Sequence, residues 1–444
     1  MSHSAAPLDR AALIARYQQA RARTHALFAV VSDDMYYAAP IAARHPVVFY
    51  DGHLPAFSFN TLVKKALGGP SIDPCLERLF ARGIDPAETA GGGASAPAAW
   101  PERRVVRQFA DEADRRVLDA LAHADLDVPG HPLLDRAEAA HAILEHEAMH
   151  QETLLYMWHR LPFEQKLRPA DYQPDVDGRV PPPQWVGIPE GTATLGVERG
   201  QIPFGWDNEF GAWRVRVPAF SIEQNDVTNA AYLEFVEAGG YREARWWRPE
   251  DWEWRSREQL EHPLFWERDG DAWYWRGMFE RLPLPASWPV YVSQAEAAAY
   301  ARWRGARLPA EAEFQRAAYG TPAGDERPFP WGHTPPGAEH GVFDFATWDP
   351  QPVGSRPAGR SAWGVEALVG NGWEWTSTVF APFPGFGAMA SYPEYSADFF
   401  DGQHIVMKGA SPVTSRELLR PTFRNWFRPR YPFVYATFRC ARNA

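Results

Sequence analysis

Apolar residues recur three and four positions apart through the first 161 residues, a period that predicts helices. One helix is expected over 8–31, with Leu13, Tyr17 and Leu27 among its apolar positions. A second begins after Pro46 and runs through Val47, Phe49, His53, Phe57 and Leu62. The Gly-rich stretch 91–97 reads as a loop, a third helix as about 102–122, and a fourth as about 133–161, stopped by Pro162. Four such helices predict a bundle. The Pro- and Asp-rich residues that follow read as a linker. From Trp185 onward short strands and turns dominate, with two amphipathic helices over about 229–238 and 294–304 and no repeat of fixed period. The expected fold class is a helix bundle followed by an α+β domain: bundle 1–165, linker 166–184, second domain 185–444.

The fourth helix carries the candidate chemistry. Ile143, His146, His150, Leu154, Met157 and Leu161 share one face, so both imidazoles point into the bundle, where a polar ring needs a partner. Two histidines at i and i+4 can hold one metal ion; the plainer alternative is two core histidines bonded to their neighbours. His146-Glu147-Ala148-Met149-His150 also matches the short zinc-protease pattern, with Glu147 as its base. That pattern requires a third ligand, usually downstream, and His159 on the same helix cannot converge on the ion. His53, upstream and among apolar residues, can be aimed at the same face by a neighbouring helix. Three neutral imidazoles with open positions suit zinc or ferrous iron. Glu152 is a candidate to orient a ligand.

Charge and composition narrow the partners. A net charge of −11 without a basic run argues against nucleic acid and anionic membrane, and no apolar stretch approaches a membrane span. Two cysteines, Cys75 and Cys440, sit in different halves of the 444 residues, so no disulfide framework is expected and a reducing cytoplasm fits. Most of the 20 tryptophans follow residue 185, which suggests an irregular second domain with little regular helix.

Four blocks in the second half resemble, in order, the formylglycine-generating-enzyme-like domains: 220–232 (FSIEQNDVTNAAY), 307–314 (RLPAEAEF), Pro330-Trp331-Gly332 and 370–375 (GNGWEW). The resemblance implies a C-type-lectin-like α+β domain. It does not carry the formylglycine activity, because that needs a reactive cysteine pair near the C-terminus and only Cys440 is there. A DinB-like four-helix bundle with His53 and the His-x3-His-x-Glu signature of His146, His150 and Glu152, joined to such a domain, resembles the ergothioneine sulfoxide synthase (EgtB) family. That family includes 5-histidylcysteine sulfoxide synthases and selenoneine synthases (SenA). The resemblance implies Fe(II) held by His53, His146 and His150, O2 as co-substrate, and a bond from sulfur or selenium to an imidazole carbon. It further implies Tyr392 of 392–400 (YPEYSADFF) as proton donor and Tyr395 as a substrate contact. Trp426 and Phe427 of 423–427 (FRNWF) would line a betaine pocket, where aromatic faces suit a trimethylammonium that cannot donate hydrogen bonds. A structural calcium in the second domain is a further candidate cofactor.

Three positions depart from the family pattern. Met149 stands where a glutamine often bonds the substrate imidazole, Phe427 where γ-glutamylcysteine users often have Asp, and Gly409-Ala410-Ser411-Pro412 replaces the usual Gly-Gly-Ser-Trp block. These departures suggest a donor with less charge to recognise. The expected function is therefore C–Se bond formation between carbon 2 of hercynine and a selenosugar, nearest the selenoneine synthases. Next stands a hercynine C–S sulfoxide synthase using cysteine or γ-glutamylcysteine, and then 5-histidylcysteine sulfoxide synthesis. A metal-stabilised binding module is the non-enzymatic alternative; it predicts zinc and no substrate-dependent O2 uptake.

Overall fold

A computed structural model describes residues 8–81 and 99–444; the loop expected at 91–97 lies outside the described residues. The chain divides into two compact units, one of residues 1–169 with 389–392, the other of 170–388 with 393–444.

The first unit is helical. Helix α1 (Arg10–Ala29) starts at Asp9, whose carboxylate accepts the Ala12 amide at 2.9 Å. Helix α2 (Val47–Ser58) starts after Pro46, contains Pro55, and continues with π-helical winding over Phe59–Ala66. Pro55 has no amide to give to the carbonyl four residues back, and wider winding of this kind is frequent beside functional sites. The short α3 (Pro74–Leu79) was not expected, because six residues are too few to show a period. It is fixed by local chemistry: Asp73 caps the Cys75 and Leu76 amides, and the buried Glu77 accepts Lys64 Nζ at 2.5 Å. Helix α4 covers Arg103–His123 and α5 Glu138–Trp158. The latter starts five residues later than its apolar period suggests. His131 Nδ1 accepts the Leu133 and Leu134 amides and Asp127 accepts that of Arg136, so these groups are satisfied outside a helix. Leu13, Tyr17, Phe57, Leu62, Val117 and Ile143 build the core. The unit extends into the expected linker, where Lys166 bridges Val31.

In the second unit, β1 (Trp185–Ile188) and β12 (Ala441–Asn443) flank β4 (Phe220–Glu223), both antiparallel to it. Strands β2 (Gly191–Leu195) and β3 (Trp213–Val217) form a hairpin, and β5 (Trp266–Asp269), β6 (Ala272–Arg276) and β7 (Arg281–Pro283) a meander. The central sheet runs β10 (Asn425–Phe427), β9 (Ile405–Ala410), β8 (Gly372–Val379), β11 (Ala436–Thr437), the last pair parallel. Helices α6 (Asn229–Glu237) and α8 (Gln294–Trp303) fall where their periods place them. Helices α7 (Pro249–Arg257), α9 (Glu311–Tyr319) and the one-turn α10 (Glu394–Ala397) correct the expectation of little further helix. Helix α9 is buried on most sides.

The recognised sequence blocks prove to be scaffold. Asn371 adopts φ 68°, a conformation asparagine tolerates, and its amide clamps the Gln351 main chain through both Nδ2 and Oδ1 at 2.8 Å. Glu374 pairs bidentately with the fully buried Arg439, which also reaches Asp226 at 3.0 Å. Thr228 caps α6, while Glu313 caps α9 and pairs with Arg307. Both cysteines are free thiols; Cys440 is buried, and burial pushes its thiol pKa up.

Candidate metal centre and aromatic cluster

Helix α2 supplies His53 and α5 supplies His146 and His150. One ligand nitrogen from each lies within 4.8 Å of the others. It is the only such convergence of three His, Cys, Asp or Glu side chains among the described residues. His53 Nε2 faces His150 Nε2 at 3.3 Å. Two nitrogens about 2.1 Å from one ion at a near-tetrahedral angle stand about 3.4 Å apart, so the pair is spaced for a shared metal.

The hydrogen bonding favours the same reading. His53 Nδ1 donates to the Phe80 carbonyl at 2.7 Å, which leaves Nε2 as the bare nitrogen. Both ring nitrogens of His146 and Nδ1 of His150 are buried without a partner. Core histidines bonded to neighbours would not leave these groups orphaned. Burial holds all three imidazoles neutral: His53 is pushed down to about 4, and His146 and His150 well below their ordinary value. Neutral imidazole is the metal-binding form. The His146 ring stacks on Phe57 at 3.5 Å and His53 on Phe49 at 5.0 Å, so the rings have little freedom to turn.

Glu147 does not face this centre. Its carboxylate accepts Arg21 Nη1 at 2.8 Å and Thr24 Oγ1 at 2.6 Å from α1, and Arg21 also pairs with Asp114 of α4. One helical position from His146 is a rotation of about 100°, which carries Glu147 to the face packed on α1. The zinc-protease reading thus loses its base, and the third histidine comes from upstream. Glu152 is buried on the following turn. Met149 is half-buried beside His150, and its carbonyl accepts Thr153 Oγ1 at 3.3 Å.

The two tyrosines of the C-terminal segment belong to different units. Tyr392 packs on the bundle, its ring 5.3 Å from Phe57 and 6.2 Å from His146, and the preceding Ser391 donates to Glu138 of α5. In the second unit Tyr395 stacks on Trp206 at 4.0 Å and meets Trp426 edge-on at 5.3 Å; Trp426 in turn stacks on Phe380 at 4.1 Å. Ser396 ties α10 to Asp207 and Asn208, and the buried pair Arg424–Glu311 fixes the start of β10. Phe427, the next residue of β10, stacks on Tyr431 at 5.1 Å. Trp206 and Phe380 were not anticipated; in a tryptophan-rich domain nothing local marks them.

Residues 172–444 match the Sulfatase-modifying factor enzyme 1-like domain family, and residues 16–154 the DinB superfamily. Hercynine oxygenase of Mycolicibacterium smegmatis is 38% identical over 314 residues, covering 67% of this chain and 70% of that protein. Hercynine oxygenase of Mycolicibacterium thermoresistibile is 35% identical over 386 residues, covering 83% and 80%. Ergothioneine biosynthesis protein 1 of Neurospora crassa is 28% identical over 490 residues, covering 91% of this chain and 54% of that protein. A helical domain with a converging histidine triad, followed by a sulfatase-modifying-factor-like domain, and this depth of similarity over most of both chains, place the protein among the enzymes of the hercynine oxygenase family.

Proposed function

We propose that the protein is an iron- and O2-dependent sulfoxide synthase that joins the sulfur of a cysteine-type thiol to carbon 2 of the hercynine imidazole, in ergothioneine biosynthesis. The observation that carries this reading is the converging triad of buried, neutral imidazoles, His53, His146 and His150, in a chain whose relatives are named for hercynine oxygenation. The overall change balances: hercynine, thiol and O2 give the sulfoxide and one water, with the imidazole C–H and the S–H bonds broken and a C–S bond formed.

The donor set fits ferrous iron, three neutral nitrogens being common to sites that keep open positions. Bound there, iron would supply O2 activation and a coordination position for the ionised thiol. The chain's own residues do the rest. The His53–Phe80 hydrogen bond keeps a ligand nitrogen bare. Tyr392, packed beside His146, holds a phenolic proton for the oxygen that leaves as water. Tyr395, Trp206 and Trp426 offer aromatic faces to the trimethylammonium of hercynine, a cation with no hydrogen bond to donate. Met149, beside His150, excludes water where a polar residue would admit it.

A second reading keeps hercynine and changes the donor to a selenosugar. Met149 favours it, because a thioether beside His150 offers neither a strong hydrogen bond nor a charge to an amino-acid donor. Fe(II)-loaded protein, O2 and hercynine supplied with cysteine, γ-glutamylcysteine and selenosugar together, with products read by mass spectrometry, decides between them. A sulfoxide adduct supports the first reading; a hercynine–selenium adduct replaces it with the second; no adduct and no hercynine-dependent O2 uptake overturns both.

A further inference from the structure

Gly52 precedes the ligand His53 in the middle of α2, where glycine is less favourable than alanine. Its backbone is ordinary helix, so the reason is not a special dihedral angle. The reason is room. A Cβ built on Gly52 would lie 2.5 Å from Cε2 and Cζ of Phe80 and 2.6 Å from its Cδ2. The Phe80 ring is fully buried against Phe49 and Phe109, so it cannot swing aside without carrying its backbone with it. The same residue's carbonyl accepts His53 Nδ1 at 2.7 Å. Phe80 ends α3, and α3 is held to the π-helical end of α2 by Lys64–Glu77 and by Asn60 donating to the Glu77 carbonyl at 3.2 Å.

We propose that Gly52 is a positioning residue of the metal centre: it lets Phe80 press against α2, so that the Phe80 carbonyl captures Nδ1–H of His53 and presents Nε2 as the bare ligand nitrogen. The inference rests on the triad being a metal site. A side chain at position 52 pushes Phe80 outward, lengthens the carbonyl contact and frees the His53 ring to take either tautomer. Groups that orient a metal-bound histidine in this way are typically worth 10–100-fold in metal affinity.

The test compares wild type with Gly52→Ala by Co(II) titration under argon and by 15N NMR of the histidines in the metal-free protein. Wild type is expected to bind one Co(II) and to show His53 as the Nδ1–H tautomer. Gly52→Ala is expected to bind about 10–100-fold more weakly with a mixed tautomer, and Phe80→Leu added to that variant is expected to recover both. Loss of stability alone would not change a tautomer. Wild type that binds no Co(II) overturns the metal reading itself. Wild type that binds while Gly52→Ala matches it, or a folded double variant without recovery, overturns the role of Gly52 alone. Should Gly52→Ala not fold, His53 as the Nε2–H tautomer in wild type overturns the proposal, and Nδ1–H in wild type with recovery in the double variant supports it.

Discussion

Nε2 of His53 and Nε2 of His150 face each other at 3.3 Å, with Phe49 stacked on the His53 ring and Phe57 on that of His146. Two bare lone pairs repel at that distance. Without metal one nitrogen must carry a proton, and because His53 spends its proton on the Phe80 carbonyl, the donor is His150. Metal binding then displaces that proton. His150→Ala is therefore expected to abolish stoichiometric iron binding, measured by elemental analysis after anaerobic loading. An iron-replete, fully active variant would remove His150 from the ligand set.

The pH dependence of the metal-free protein follows from the same burial. The three imidazoles have folded pKa values below the unfolded value of about 6.5, His53 at about 4. The unfolded chain then binds more protons below about pH 6.5, so stability is fully present above it and is lost as pH falls toward 4. Each neutral histidine adds a slope of up to about 1.4 kcal/mol per pH unit in that window. Chemical denaturation of the apoprotein at pH 7 and pH 5 should show this loss, and His146→Leu should reduce it. A flat profile would show that the triad is not held neutral.

Glu147 sits in a buried network with Arg21, Thr24 and Asp114, away from the imidazoles it adjoins in sequence. Removing Glu147 leaves Arg21 paired with Asp114 but takes one acceptor from both Arg21 and Thr24. Glu147→Ala is expected to cost about 1–3 kcal/mol of stability while the folded fraction keeps its metal. A variant of normal stability that binds metal but performs no chemistry would restore a catalytic role to this carboxylate.

Tyr392→Phe is expected to raise the O2 consumed per adduct formed, since the donor is then oxidised without coupling. Oxygen electrode and product yield together measure this, and unchanged partitioning refutes the proton-donor role.

Trp206 and Trp426 flank Tyr395. Truncating Trp426 to leucine is expected to raise KM for hercynine about 2–30-fold, the value of a cation–π contact of 0.5–2 kcal/mol. The effect should vanish for an analogue whose ammonium is replaced by an uncharged tert-butyl carbon. An equal loss with that analogue would make Trp426 a packing residue only.

Helices α1 and α4 were legible because each buries one face, and a buried face imposes the 3.6-residue period on the residue types. Helices α2 and α5, buried on most sides, were legible from their length and apolar content. His146 and His150 were legible as a pair because their geometry is internal to one helix. The family blocks were legible as strings but not as physics. Only the structure shows Glu374 and Asp226 closing on Arg439, and Asn371 clamping Gln351, because those partners lie far apart in the chain. Helices α3 and α9 were illegible for opposite reasons, the first too short for a period and the second buried on most of its surface.

The residue order by itself determined the helical and α+β halves, the histidine pair, and His53 as the candidate third ligand, since each rests on local spacing or on a string shared with a family. Tertiary packing alone decided that Glu147 turns to α1, that Tyr395 stacks on Trp206, and that Phe80 meets His53 through the gap at Gly52. Those outcomes depend on the direction of a side chain against a neighbour distant in sequence, and no local pattern of residue types encodes a direction.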